Sequence, residues 1–367
     1  MSDFDDLLKD TAARLFTDLC TRDALDSAEN GRWPDRIWSA VEAAGLTSAL
    51  DPETDGASLL PLETLAVIVR AVGEFAAPMP LAETLLAQRI FFQAGISFPD
   101  GPLSVAPQLG GKPPQLSRSE AGWQINGHVR RVPWGRNIKA IAVVAQYRGQ
   151  LALVRLDGLT PVRLGKNLAN EPRDDFQLVE HILADDAVAT DMVAPLNSLE
   201  REGALMRSLQ MIGAMGHVLG QTVQYSMERV QFGRAIAKFQ AVQQQVALMA
   251  AHVAAATAAT EAALNVAANR QAEFEICAAK ARTSEAAGVC CNVAHQVHGA
   301  MGFTHEHSLH LSTRRLMSWR DEFGSEAECA EWIGHQVQQI GGAHLWSYIS
   351  TPQLHEALQA RQEISHA

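Results

Sequence analysis

The stretch Glu228-Arg229-Val230-Gln231-Phe232-Gly233-Arg234-Ala235-Ile236-Ala237-Lys238-Phe239-Gln240 decides how this chain is read. Helical patterning runs up to it and away from it, and one glycine and three basic residues lie between. A cationic turn between long helices suits a phosphate or pyrophosphate. Arginine offers a planar fork of donors, and backbone N–H groups add more. Taken alone, the same stretch also reads as a solvated basic corner.

Before it, Leu205, Leu209, Ile212, Leu219 and Val223 fall at steps that fit one helix face. Gly213, Gly216 and Gly220 lie among them. No strand precedes these glycines, so they read as sites of close helix packing rather than a phosphate loop. After the turn, Val242, Val246, Met249 and Val253 mark a second long helix, and residues 276–297 a third. The basic turn then joins two antiparallel helices of a bundle.

The first 98 residues are also helical in pattern. Leu7, Ala12, Leu15, Phe16 and Leu19 give one stripe. Trp33-Pro34 opens another helix, with Ile37, Trp38 and Val41 on one side and Gly45 as its stop. Pro61 opens a third, and residues 81–94 a fourth. Between about residues 99 and 196 the periodicity changes. Short β-type runs occupy 123–125, 129–132, 140–145, 151–156 and 176–182, and Asn126-Gly127 reads as a hairpin turn. The expected organisation is a helical domain over 1–98, a middle antiparallel β-barrel-like domain over 99–196, a C-terminal four-helix bundle over 203–350, and a tail over 351–367.

Composition narrows the function. The net charge is −11 over 367 residues, which argues against nucleic acid as a partner. Five cysteines form no C-x-x-C pair, as expected of reduced thiols in a cytoplasmic protein. The acidic N-terminus shows no signal pattern. The alanine-rich run 250–268 contains His252, Glu261 and Asn265 and reads as a packed helix rather than a membrane span. Histidines 295, 298, 305, 307 and 310 invite a metal reading. They lack a visible supporting pattern, so no metal is expected. Cys290-Cys291 has no basic neighbour to activate a thiol, and no G-x-S-x-G elbow is present.

Two segments carry a resemblance. One is Arg229-Val230-Gln231-Phe232-Gly233 with Ile236 and Phe239-Gln240. The other is Gln296-Val297-His298-Gly299-Ala300-Met301-Gly302-Phe303-Thr304 with Glu306 and Arg314. With Pro78-Met79-Pro80-Leu81-Ala82-Glu83-Thr84 and Trp123-Gln124-Ile125-Asn126-Gly127, the chain resembles the acyl-CoA dehydrogenases over nearly its whole length.

The resemblance implies FAD bound between subunits of a homo- or hetero-oligomer, a dimer or a tetramer. The implied reaction is α,β-dehydrogenation of an acyl-CoA thioester, with electrons passed to an electron-transfer flavoprotein. It implies that Arg229 reaches a neighbour's FAD pyrophosphate, that Gln231, Phe232 and Gln240 surround the same cofactor, and that Gln296, Gly299 and Ala300 grip its adenosine. Ala300 replaces a usual glycine, which loosens backbone approach there.

The chemistry needs a carboxylate base and hydrogen bonds to the thioester oxygen. Here the chain departs from the family. Carrying the usual base position through without gaps gives Phe323, with Glu322 one residue short. The alternative position on the first bundle helix gives Gly203, with Glu202 adjacent. A Thr-Glu-Pro motif is absent around Ser104-Val105-Ala106-Pro107. Arg131-Val132-Pro133 replaces Trp-Ile-Thr, so the hydroxyl that meets the flavin is missing. Glu322 is the expected base if the chain works alone. The missing motifs serve a subunit's own flavin, whereas those retained serve a neighbour's. This asymmetry also fits one subunit of a heteromer, as in relatives acting on steroid side chains, or a non-catalytic FAD-supporting subunit or scaffold. Met206, Leu209 and Gln210 are the expected acyl-pocket lining.

Overall fold

The computed structural model describes residues 3–107, 111–120, 122–190, 194–268 and 272–350. The expected tail over 351–367 lies outside the described residues. Five helices come first: α1 (Asp3–Leu19), α2 (Arg22–Glu29), α3 (Asp35–Ala43), α4 (Leu62–Glu74) and α5 (Leu81–Gln93). Prolines 34, 61 and 80 stand immediately before α3, α4 and α5, where a fixed φ costs nothing and no helical N–H is lost. The α1 stripe is only partly buried: Ala12 and Phe16 are core, but Leu7 faces solvent. Helix α2 escaped the sequence reading, since its eight residues carry little apolar pattern.

The middle domain follows: β1 (Leu103–Val105), β2 (Gln115–Ser119), β3 (Gly122–Pro133), β4 (Ala140–Tyr147), β5 (Gln150–Asp157), β6 (Arg173–Leu183) and β7 (Val188–Ala189). The sheet order is β6-β3-β2-β4-β5-β7, with β1 also on β4. The pairs β1·β4 and β2·β4 are parallel, so the sheet is mixed, and the described strands do not close into a barrel. Asn126-Gly127 is not a hairpin turn. The strand continues through it with a register shift, and the Asn126 side chain accepts the Glu180 backbone N–H at 2.7 Å. Strand β4 is buried on both faces. Ala140, Ala142 and Val144 join the core shared with the helices, while Ile141 and Val143 join the core inside the β-domain. That strand therefore locks the two layers together.

The bundle contains α6 (Ala194–Glu228), a hairpin of β8 (Val230–Gln231) and β9 (Arg234–Ala235), α7 (Gln240–Ala267), α8 (Glu273–His298), α9 (Leu309–Trp319), α10 (Glu326–Ile340) and α11 (Leu345–Ser350). Helices α6, α7 and α8 pack mutually, α9 packs on α6 and α10 on α8. Gly213 does what was expected of it. A Cβ there would sit 2.1 Å from the Arg70 carbonyl oxygen, so α4 and α6 touch backbone to backbone. Gly216 and Gly220 face open space and have no such role. Among the described residues α7 is the one helix long and apolar enough to cross a membrane. One of its faces packs on α6 and α8.

Candidate active site

The two candidate regions lie at different ends of α6, about 30 Å apart from Arg207 to Glu228 at 1.5 Å per residue.

Near the start of α6 the expected base positions meet. The turn after α9 carries Asp321, Glu322 and Phe323, with Phe323 at φ +53°. Lys280 holds this turn in place. Its Nζ donates to the carbonyls of Arg320 and Gly324, each at 2.7 Å, and burial lowers its pKa to about 8. The Phe323 ring lies against the Gly203 backbone, and a Cβ on Gly203 would come within 2.3 Å of it. The two positions where the resemblance expects a glutamate thus fill each other's space. A void of only about 20 Å³ remains in front of Phe323, bordered by Pro107, Arg131 and Pro133. That is room for about one water, which needs roughly 10–15 Å³, and not for a thioester.

Glu322 borders this void but is bound into a buried ion network. Arg173 donates Nε to Oε1 at 2.7 Å and Nη2 to Oε2 at 3.0 Å. Arg207 donates Nε to Oε2 at 2.9 Å. Arg207 also bonds Gln210 and, at 2.6 Å, Glu83 on α5. Arg173 continues to Glu171 at 3.0 Å, and Glu171 also accepts from Arg315 and Trp319, each at 3.1 Å. Burial by itself raises the Glu322 carboxyl; Arg173 and Arg207 outweigh it and hold the pKa at about 2. Glu171 is likewise lowered, against burial, by Arg173 and Arg315.

A general base needs a raised pKa and a free lone pair facing the substrate. Glu322 instead has a lowered pKa and both oxygens engaged by arginines, so it serves the ion network. Glu202 is half-buried on α6 and faces Arg89 of α5 at 3.8 Å, and it does not border the void at Phe323. Met206, Leu209 and Gln210 are packed into the interior, with 2% of each exposed, so they open no acyl cavity.

The middle-domain positions are closed in the same way. The Pro133 carbonyl accepts the Ser104 hydroxyl at 2.7 Å. Arg131, at φ +52°, donates its backbone N–H to Asp175 at 2.8 Å. Trp134, at φ +56°, donates its own to the Pro172 carbonyl at 2.9 Å. The polar backbone of this segment serves the protein itself.

At the far end of α6 the situation reverses. Phe232 and Gly233 form the hairpin tip at φ +53° and +77°, both left-handed as a two-residue type I′ turn requires. Phe232 is 92% exposed. Arg229, Gln231 and Gln240 are exposed as well, and among the described residues no side chain pairs with the Arg229 guanidinium. The turn after α8 lies alongside. Tyr225 of α6 donates to the His298 carbonyl at 3.3 Å, and the two rings stack at 4.3 Å. This contact fixes the hairpin beside the end of α8, which carries Gln296, and the turn with Gly299 and Ala300. All three are exposed, and Gly299 turns at φ +58° into open space. A lone guanidinium, amide side chains, an exposed aromatic ring and an open turn make a donor set that fits a pyrophosphate and a base.

The histidines near this turn serve packing. His295 lies against Phe303 at 4.6 Å, and His307 meets the edge of His298 at 4.7 Å. Burial lowers the pKa of His295, His298, His307 and His310. Asp26, His305 and His310 each bring one ligand atom within 4.8 Å of the others. Arg22 already occupies that corner as a cation. Its Nε donates to Asp26 at 2.9 Å, and its Nη2 lies 2.9 Å from His305 Nδ1. His305 Nδ1 must therefore accept, which leaves the proton on Nε2, where a metal would have to bind. The group reads as a latch between α2 and the loop before α9.

Sequence reasoning missed Arg173, Arg207, Glu171 and Arg315. The available signal was a surplus of charges at apolar positions, such as Arg207 within the buried face of α6.

Comparison with known proteins agrees with this architecture. The description "Acyl-CoA dehydrogenase, C-terminal domain" matches residues 196–337. Acyl-CoA dehydrogenase IpdE2 of Mycolicibacterium smegmatis is 25% identical over 318 residues, 86% of this chain and 93% of that protein. The crystal structure of the ChsE4–ChsE5 complex from Mycobacterium tuberculosis superposes with a TM-score of 0.84 at 19% identity, covering 92% of this chain and 98% of that one. A Tcur3481–Tcur3483 steroid ACAD variant gives 0.82 at 21% identity, covering 91% and 98%.

Proposed function

Because the chain belongs to the acyl-CoA dehydrogenase family, oxidoreductases acting on acyl-CoA, we propose that it is the FAD-supporting subunit of a heteromeric member. The observation that carries this reading is the Phe323 ring laid on Gly203 above the Arg173–Glu322–Arg207 network. Neither base position holds a carboxylate, and the void there is too small for a thioester. The exposed hairpin and turn, by contrast, have the residues to hold FAD bound mainly by another subunit.

FAD, when bound, supplies the acceptor for the hydride leaving the substrate β-carbon. This chain's part is to bind and orient. Arg229 neutralises the pyrophosphate with charge-assisted hydrogen bonds. Gln231, Gln240 and Gln296 supply further polar contacts. Phe232 covers apolar surface and excludes water, and the Gly299–Ala300 turn leaves the adenosine room. The partner subunit then supplies the base and the acyl-CoA pocket, and an electron-transfer flavoprotein takes the electrons. Two structural neighbours, ChsE4–ChsE5 and Tcur3481–Tcur3483, support this reading, since each joins two different chains. The steroid named for one of them makes a bulky, steroid-derived acyl-CoA the leading substrate class.

The test is co-purification. The chain is expressed alone and with a family subunit that carries a glutamate at the base position, and bound flavin and acyl-CoA-dependent dye reduction are measured. We expect about one FAD per heterodimer, with turnover only in the pair. One FAD per chain together with turnover in the isolated protein would falsify the reading. Arg229→Ala in the pair is expected to weaken FAD retention roughly 10- to 100-fold, the loss of one charge-assisted hydrogen-bonded contact.

A further inference from the structure

Away from the closed pocket and the hairpin, two thiols face each other across the seam between α8 and α10. Cys277 of α8 and Cys329 of α10 hydrogen-bond side chain to side chain, and both are buried. They stand beside the turn that carries Glu322 and Phe323. A Cβ on Gly324 would lie 3.4 Å from the Cys329 sulfur, and Lys280, one helical turn after Cys277, holds the Gly324 carbonyl. All five cysteines are free, so the pair is in its reduced form.

The surroundings single out this pair. Burial raises the Cys20, Cys290 and Cys291 thiols, Cys20 and Cys291 to about 12. Cys329 goes the other way. The hydrogen bond from Cys277 lowers it to about 7 against burial, with Lys280 of α8 and Arg201 of α6 assisting and Glu328 of α10 opposing. Cys277, the donor, is raised by the same bond. A nucleophilic sulfur thus sits against a protonated one, the division of labour that thiol oxidation uses. Access comes through α10. Cys329 is the one buried residue of that helix, and all its other residues are partly or wholly exposed. A helix held by so little apolar burial opens locally more readily than the core helices beside it.

We propose that Cys277 and Cys329 are a peroxide-sensitive pair that closes to a reversible disulfide and staples α10 to α8. The Cys329 thiolate attacks one oxygen of hydrogen peroxide. The O–O bond breaks, the leaving hydroxide takes a proton to become water, and Cys329 becomes a sulfenic acid. The Cys277 sulfur then attacks the Cys329 sulfur. The S–S bond forms, the S–O bond breaks, and the Cys277 proton leaves with the hydroxyl as a second water. The two thiols together lose two electrons and two protons, and the peroxide is reduced to two waters. The bridge closes a loop that contains α9 and the turn of Glu322 and Phe323, so it restrains the opening of α10 next to that turn. A dithiol reductant reverses it by exchange.

The folded, reduced chain is treated with a small excess of hydrogen peroxide, and its thiols and cross-linked peptides are measured. We expect two of the five thiols to be lost, a Cys277–Cys329 peptide to appear in the proteolytic map, and dithiothreitol to restore all five. Amide hydrogen exchange in α10 should slow several-fold in the bridged form. Cys277→Ser should stop at the sulfenic acid, which dimedone traps on Cys329, and Cys329→Ser should leave Cys277 unoxidised. The double variant Cys290→Ser with Cys291→Ser should bridge as the native chain does. If a variant misfolds, the peptide map of the native chain still decides. A map without the Cys277–Cys329 peptide, a bridge that forms only after denaturant unfolds the chain, or unchanged exchange in α10 of the bridged form each overturns the proposal.

Discussion

Helix α6 carries arginine in two opposite states. Near its start, Arg207 is 2% exposed and bonded through Nε, Nη1 and Nη2 to Glu322, Gln210 and Glu83. Just beyond its end, Arg229 stands in solvent with no side-chain partner among the described residues. The same residue type closes one site and opens another. A guanidinium whose donors are saturated by its own chain is structural, and one left unsaturated on a rigid hairpin is ready for a ligand.

The largest test of that contrast is Glu322→Gln. Removing the carboxylate leaves Arg173 and Arg207 buried without a counter-charge, which costs roughly 3–5 kcal/mol of folding stability. Chemical denaturation measures it, and an unchanged midpoint would remove the structural reading of Glu322. A smaller effect comes from acid. The Glu322 pKa of about 2 lies below its ordinary value, so its contribution is complete above about pH 5 and fades as pH falls through 2. The stability gap between the native chain and Glu322→Gln should therefore shrink by up to roughly 3 kcal/mol between pH 5 and pH 2. A gap that stays constant over that range contradicts the arginine clamp. The smallest expected effect is at the open end. Arg229→Ala should shift folding stability by no more than about 0.5 kcal/mol, since the side chain is exposed and unpaired. A clear loss of thermal midpoint would place Arg229 in the fold rather than at a ligand.

Local pattern carried much of the architecture. Proline and glycine punctuation marked α3, α4 and α5, and β-type runs located β3, β4, β5 and β6. Strands β1, β2 and β7 were missed because each has five residues or fewer. Asn126-Gly127 misled because its turn propensity is local, whereas β3 continues through it by pairing with β6. At the site, the exposed hairpin was legible since its residues are contiguous and their chemistry needs no partner from elsewhere in this chain.

The sequence by itself determined that Phe323 and Gly203 stand where a gapless carry-over places the base, that the turn at residues 229–240 is cationic, and that helices flank a β-domain. The tertiary structure alone decided what Glu322 does. Its pKa depends on Arg173, 149 residues away, and Arg207, 115 residues away, and no local pattern reports them. Electrostatic energies depend on distance and burial in space, and those are set only when α5, α6, β6 and the turn after α9 have packed together.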